Sequence, residues 1–423
     1  MNLCIISETD HEQSGFGAVA QQQAEAAALF SRTEEEQRAL GYFHTLREIL
    51  HQPATWLRTA RQLAAVSDEL SRTIAGARML VLTGSGSSEF AGECAGLGLQ
   101  SQLCIPVQTI GGGALLTSGR KAIVPERPGT MVSLARSGDS PESVGAVSAI
   151  LASEPAIGHL VVTCNAEGQL ARIYRDDPRV RVVVLADETN DRSLVMTSSF
   201  TNLVLAVGFL GMLRKKDRYL ELVGKLSSKA EEIFRTQFDA LAALGRREFN
   251  RVMFLADGAR LGAARESALK MTEMTAGRVM AGCETYLGLR HGPMSAIHPN
   301  TLVVCNLASD PVVRAYECDL IRELIDKRLG MAKLIFGEGI PADLAQACDA
   351  IVDCSGLAEL GDDNMPVLDI LFGQLLAFFR CLKEGLQPDS PSSDGVINRV
   401  VSGFILHGSG NGAHTGAGHG EKR

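Results

Sequence analysis

Aromatic residues are scarce in this 423-residue chain, at 5% of the composition with a single Trp. A surface that stacks successive bases needs more rings than that. Basic charge is not in excess either, because 41 Lys and Arg stand against 49 Asp and Glu, a formal net charge of −8. Nucleic acid is therefore excluded as an expected partner. Membrane-length apolar runs are missing: Leu203 to Leu213 is too short to span a bilayer and runs into Arg214-Lys215-Lys216. The N-terminal residues turn acidic at Glu8 and Asp10 before an apolar signal core forms, so no membrane partner and a cytoplasmic location are expected. Ten cysteines lie scattered through apolar runs, without a CxxC pair or a Cys/His cluster. That pattern argues for buried reduced thiols and against a metal site.

What the chain does have is glycine, 43 residues of it, and a repeating alternation of apolar runs with helical stretches. Met79-Leu80-Val81-Leu82 enters the loop Gly84-Ser85-Gly86-Ser87-Ser88, and Met131-Val132-Ser133-Leu134 enters Arg136-Ser137-Gly138-Asp139-Ser140. In the second loop Ser140 suits an N-cap and Pro141 the first helical position. Leu160 to Thr163 and Val182 to Leu185 add two further buried strands, and the alternation predicts an α/β fold with a parallel sheet covered by helices. The pattern then recurs. Arg78 to Leu82 aligns with Arg251 to Leu255, the same offset carries Glu93 onto Glu266, and Met131 to Ser137 falls over Val303 to Ser309. Two copies of one unit follow, at residues 77–212 and 248–388, joined by a helical linker at 213–247. Residues 1–35 read as a flexible extension and 36–76 as a helical segment whose start, Thr33 with Glu36, has the pattern of a capping box. After a helix over Val367 to Glu384, residues 389–407 form a C-terminal segment, and the Gly/His-rich stretch 408–423 is expected to be disordered.

Two features carry chemistry. Helix N-termini beside Gly and Ser residues offer free amides and hydroxyls to an anion, which makes Ser85, Ser87, Ser88, Arg136, Ser137 and Ser140 candidates for holding a small phosphate. A third glycine is missing from the first loop and no Gly-Lys-Ser/Thr follows it, so neither a dinucleotide nor a P-loop fits. In the second copy the loop from Asp257 to Arg260 lacks the hydroxyls, but the helix after it carries Glu266, Lys270 and Glu273 on one stripe. Such a stripe is most often a solvated set of ion pairs, and here it is set against a phosphate-holding partner copy. His291 lies beyond it in the Gly-flanked turn Arg290-His291-Gly292-Pro293.

These motifs resemble a known family. The paired units look like sugar isomerase (SIS) domains, the fold of the isomerase half of glucosamine-6-phosphate synthase. More specifically, Ala135 to Ser143, Met196-Thr197-Ser198-Ser199, Arg265 to Lys270, Arg290-His291-Gly292-Pro293 and Asn398-Arg399-Val400-Val401 resemble the AgaS-type galactosamine-6-phosphate deaminase/isomerases, as does Glu48-Ile49 with Gln52-Pro53. The resemblance implies two tandem three-layer α/β/α domains, a sugar 6-phosphate substrate, a homodimer, and neither metal nor redox cofactor. It implies Glu273 as the proton-shuttling carboxylate, His291 as the group assisting ring opening, and Lys270 and Glu266 as their supports. Thr197 and Asn398 join the serine loops as substrate contacts. Where the synthase has a C-terminal lysine after an Arg-Asn pair, this chain has Asn398-Arg399-Val400-Val401, so that lysine's role does not transfer. About 80 residues precede the first loop, too few for a glutaminase domain, and deamination is the expected direction. Glucosamine 6-phosphate deamination, plain aldose/ketose isomerisation and non-catalytic sugar-phosphate sensing are the competing expectations.

Overall fold

The computed structural model describes residues 16–392, 394–401 and 405–407. Two five-stranded sheets organise the chain. The first comprises β1 (Leu80–Gly84), β2 (Val107–Gly111), β3 (Gly129–Ala135), β4 (Ile157–Thr163) and β5 (Val180–Val184), ordered β2-β1-β3-β4-β5. The second comprises β6 (Arg251–Leu255), β7 (Met280–Glu284), β8 (Thr301–Asn306), β9 (Ala332–Gly337) and β10 (Ala350–Asp353), ordered β7-β6-β8-β9-β10. The order is the same in both, and every pairing is parallel. The repeat seen in the sequence is thus a repeat of topology, with β1 matching β6 and β3 matching β8.

Parallel strands need crossovers, and the helices that supply them bury both faces of each sheet. One apolar core takes Leu80 and Leu82 of β1, Val132 and Leu134 of β3, Val252 and Phe254 of β6, and Val304 of β8, together with the helices between the sheets. Two smaller cores cover the outer faces, around Val81 and Val161 in the first unit and Leu255 and Ile335 in the second. The inner layer includes the helices Ser87–Leu103, Ser198–Gly208, Arg260–Met274 and Pro366–Lys383, the last buried along nearly its whole length. Between the units runs one 30-residue helix, Lys216–Gly245. No helix among the described residues is long and apolar enough to cross a membrane.

The extension is helical over part of its described length. Residues Ala24–Phe30 form a helix whose first amides, Ala24 N and Glu25 N, donate to the Asp239 carboxylate at 2.8 and 2.9 Å. Glu25 also pairs with Arg246, and Ala26 and Leu29 are buried. A Gln/Ala-rich stretch has little to show for itself in sequence; its partner is a helix residue 215 positions on from Ala24, which no local pattern reveals. The Thr33/Glu36 capping box forms as expected. Residues 1–15 of the extension and the tail 408–423 lie outside the described residues.

Candidate active site

The two Gly/Ser loops sit where strands hand over to helices at the C-terminal edge of the first sheet, the edge at which open α/β sheets bind ligands. Gly84 is required there: a Cβ on it would lie 2.6 Å from the Ser88 carbonyl carbon, so only glycine allows the turn into the Ser87–Leu103 helix to be so tight. At the other loop Ser140 stands at the N-cap of the Pro141–Ser153 helix, yet its hydroxyl makes no capping bond. Its polar group remains available to the cleft it lines. That cleft, about 500 Å³, is lined by Ser85, Ser87, Ser88, Arg136, Ser137, Ser140, Glu142, Leu194, Met196, Leu269, Glu273, Asn398 and Arg399 among others.

Residues from both sheets meet in it. Lys270 is fully buried and its ammonium reaches Glu266 at 3.1 Å, Glu273 at 2.5 Å and the Ser87 hydroxyl at 3.1 Å. Three N–H groups thus face three acceptors, and the Ser87 hydroxyl, which accepts from Lys270, is also hydrogen-bonded to Glu266. Glu266 lies beneath with no exposed side-chain surface, while Glu273 is 21% exposed and lines the cleft. Burial pushes the Glu266 carboxyl up to about 7, with Lys270 pulling the other way and Glu273 adding to the rise. Burial would lower the Lys270 ammonium, but the two carboxylates outweigh it and hold it above its ordinary value. Lys270 is therefore a fixed cation here, and burial brings the Glu266 carboxyl toward neutrality.

Close helix packing makes the meeting possible. A Cβ on Gly262 would lie 2.8 Å from Cys94 N and 3.0 Å from Phe90 O, so glycine lets the Arg260–Met274 and Ser87–Leu103 helices approach each other. The second unit's own loops are filled from within. Arg260 forms a buried bidentate pair with Asp369 at 2.8 and 2.6 Å, and the Asp362 carboxylate accepts from Ser309 N at 2.9 Å and Asp310 N at 3.2 Å. A protein carboxylate occupies the amides that in the first unit face the open cleft.

Not every candidate is in the cleft. Thr197 is fully buried, with its amide and hydroxyl both on Asp191 at 2.8 and 3.0 Å, and it does not line the cavity. An Asp six residues upstream captures it as part of the cap of the Ser198–Gly208 helix, together with Ser198 N and Ser199 N. His291 is exposed, beyond edge strand β7, and is not among the lining residues. Arg136 lines the cleft, but its guanidinium is committed to carbonyls: Leu194 O at 2.9 Å and Arg399 O at 2.6 Å. Glu142, Leu194, Met196 and Arg399 line it too, and sequence reasoning did not single them out as site residues. Glu142, Met196 and Arg399 had a signal, their places in the motifs Ala135 to Ser143, Met196-Thr197-Ser198-Ser199 and Asn398-Arg399-Val400-Val401; Leu194 had none. Among the described residues no group of three or more His, Cys, Asp or Glu side chains is placed to hold a metal ion.

No protein-family model matches the chain. Individual proteins do. A Streptomyces coelicolor AgaS protein is 35% identical over 372 residues, covering 86% of this chain and 95% of the relative. The D-galactosamine-6-phosphate deaminase AgaS of Escherichia coli is 31% identical over 369 residues, covering 86% and 95%. Among solved structures, the tagatose-6-phosphate ketose/aldose isomerase of Escherichia coli superposes with a TM-score of 0.78 at 27% identity, covering 86% of this chain and 97% of that one. The C-terminal domain of glucosamine-fructose-6-phosphate aminotransferase from Francisella tularensis shares the fold, with a TM-score of 0.69 at 16% identity over 82% of this chain and 98% of that one. With two parallel sheets in one strand order, a serine-lined cleft between them and these relatives along nearly their whole length, the chain belongs to the AgaS family of enzymes with tandem SIS domains.

Proposed function

We propose that the protein is an amino-sugar-phosphate deaminase/isomerase that converts galactosamine 6-phosphate and water to tagatose 6-phosphate and ammonia. The observation that carries this reading is Lys270 bridging the buried Glu266, the cleft-facing Glu273 and Ser87 of the opposite domain. It joins an acid/base carboxylate to an anion-binding loop. Free amides at two helix N-termini and the hydroxyls of Ser85, Ser87, Ser88, Ser137 and Ser140 hold the phosphate. The open-chain sugar then lies with C1 and C2 toward Glu273, whose carboxylate takes the C2 proton and returns it at C1. What remains is an imine at C2; water adds to that carbon and the nitrogen leaves as ammonia. Lys270, fully buried beside it, orients Glu273. Asn398 contributes from the C-terminal segment.

His291, exposed and outside this cleft's lining, acts across a homodimer, assisting ring opening in a partner's site. The deamination is hydrolytic and the setting is the cytoplasm. The names of the AgaS relatives support the amine-releasing chemistry, and the isomerase-named structure supports the C1–C2 proton transfer. An ammonia-release assay across galactosamine 6-phosphate, glucosamine 6-phosphate and their N-acetyl forms tests the reading. Release is expected from galactosamine 6-phosphate and none from the N-acetyl sugars; a preference for glucosamine 6-phosphate, or ketose formed without ammonia, would replace it with one of the competing readings.

A further inference from the structure

We infer that Glu48, which lies outside both sheets and lines no part of the cleft, is a positioning residue that holds the C-terminal segment carrying Asn398 and Arg399 against the cleft. The inference rests on the reading of that cleft as a sugar-phosphate site. Residues 394–401 belong to no helix or strand, yet Val396, Ile397, Asn398, Arg399 and Val401 form one wall of the cavity. Within the segment the bonds are short-range, such as Ile397 N to the Ser392 hydroxyl at 3.1 Å. Among the described residues, the hydrogen bonds that tie the segment to the protein beyond Ser392 run through Arg399. The Arg399 guanidinium donates to Asp191 O at 2.9 and 2.6 Å and to Asn190 Oδ1 at 2.7 Å, and Arg399 O accepts from Arg136 at 2.6 Å.

All of these partners converge on the loop of residues 190–195. Arg136, besides holding Arg399, donates to Leu194 O at 2.9 Å, so the loop carries both arginines. A loop that receives two guanidinium groups on its carbonyls must have its amides fixed as well, or it will shift with them. Glu48 does this. From the Phe43–Leu50 helix, 6% exposed, its carboxyl accepts from Arg192 N at 2.6 Å, from Ser193 N at 3.3 Å and from the Ser193 hydroxyl. Asp191 is occupied with the Ser198–Gly208 cap, so within this loop Glu48 takes the Arg192 and Ser193 amides. The helix that carries Glu48 is anchored to the same region by a second route: the Asp389 carboxylate caps His44 N at 3.1 Å and Thr45 N at 2.7 Å, and Leu194 N donates to Asp389 O at 3.0 Å. The N-terminal helical segment is thereby part of the machinery that shapes the cleft wall.

Hydrogen–deuterium exchange over residues 394–401, together with steady-state kinetics on galactosamine 6-phosphate, tests this in the full chain. In E48A and in R399A, exchange of the segment is expected to quicken by about tenfold and KM to rise by a similar factor, the size of one lost buried hydrogen bond. The kcat of E48A should stay within about threefold, because Glu48 does not touch the reacting atoms. E48Q keeps the acceptor oxygen and should recover most of the loss, and the E48A/R399A double variant should be no worse than R399A. Unchanged exchange in folded E48A, or KM increases that multiply in the double variant, would overturn the inference. Should E48A fail to fold, S193A removes one of the donors to Glu48, and unchanged segment exchange there would overturn it equally. If the wild-type protein does not turn over sugar phosphates, the functional reading fails by itself, and the exchange comparison still decides the role of Glu48.

Discussion

At the scale of single residues, one ammonium is shared by two carboxylates of different exposure. Glu273→Gln should lower kcat by about a thousandfold or more while KM or ligand affinity changes little, since a general base is lost and no phosphate contact is touched. Steady-state kinetics with parallel binding measurements check it, and unchanged turnover would remove Glu273 from the mechanism. Glu266 makes a second prediction. Its folded value of about 7 lies above the ordinary 4.5, so the native state binds this proton more tightly than the unfolded chain does. Its stabilising contribution is complete below pH 4.5 and is lost as pH rises through 7. Glu266→Gln should therefore flatten the decline in urea midpoint between those values; parallel profiles for wild type and variant would contradict the assignment. The i, i+4 and i, i+3 spacing put the three side chains on one stripe from sequence alone. Their burial was not legible, because whether such a stripe is solvated depends on what packs against it, and that is Ser87 from 183 residues away.

At the scale of elements the site depends on two helices lying unusually close. Gly262→Ala places a methyl group against Cys94 and Phe90, and should destabilise the protein by about 1–3 kcal/mol through overpacking. Activity should fall with it, because Lys270 would be drawn away from Ser87. Thermal denaturation and kinetics check both, and a fully stable, fully active variant would refute the packing argument. Asp369→Ala tests the filled loop of the second unit. It leaves the buried Arg260 guanidinium without its bidentate partner and should cost about 3–5 kcal/mol. Strands β1, β3, β4, β5, β6 and β8, the N-cap at Ser140 and the capping box at Thr33 were readable from sequence, whereas β2, β7, β9 and β10 were not singled out. The capture of Thr197 by Asp191 was not: the motif Met196-Thr197-Ser198-Ser199 looks like a ligand loop, and only the folded chain brings a carboxylate onto its amides. Likewise the docking of Ala24–Phe30 rests on Asp239 and Arg246, contacts without local signature.

At the scale of the whole molecule, duplication has divided labour between two units of one topology. In the first the amides at the sheet edge open onto the cleft; in the second Asp362 and Arg260 fill the corresponding space, and the helix that follows supplies Glu266, Lys270 and Glu273. The division was visible in sequence as hydroxyls present in one loop and absent from the other, whereas the filling groups were not, since Asp362 and Asp369 come from a distant segment. The proposed dimer belongs to this scale as well. Mixing inactive Glu273→Gln with inactive His291→Ala should restore up to about a quarter of wild-type activity if each site draws His291 from the other subunit, as random reassortment of a two-fold dimer gives. No recovery after demonstrated subunit exchange would place His291 outside the partner's site. The central claim is that a cleft built by both units releases ammonia through Glu273. It is tested most directly by measuring ammonia and ketose 6-phosphate together from galactosamine 6-phosphate, with wild-type and Glu273→Gln protein. The account predicts the two products in equal amounts from the wild type and neither from the variant; ketose without ammonia, or undiminished release by the variant, would contradict it.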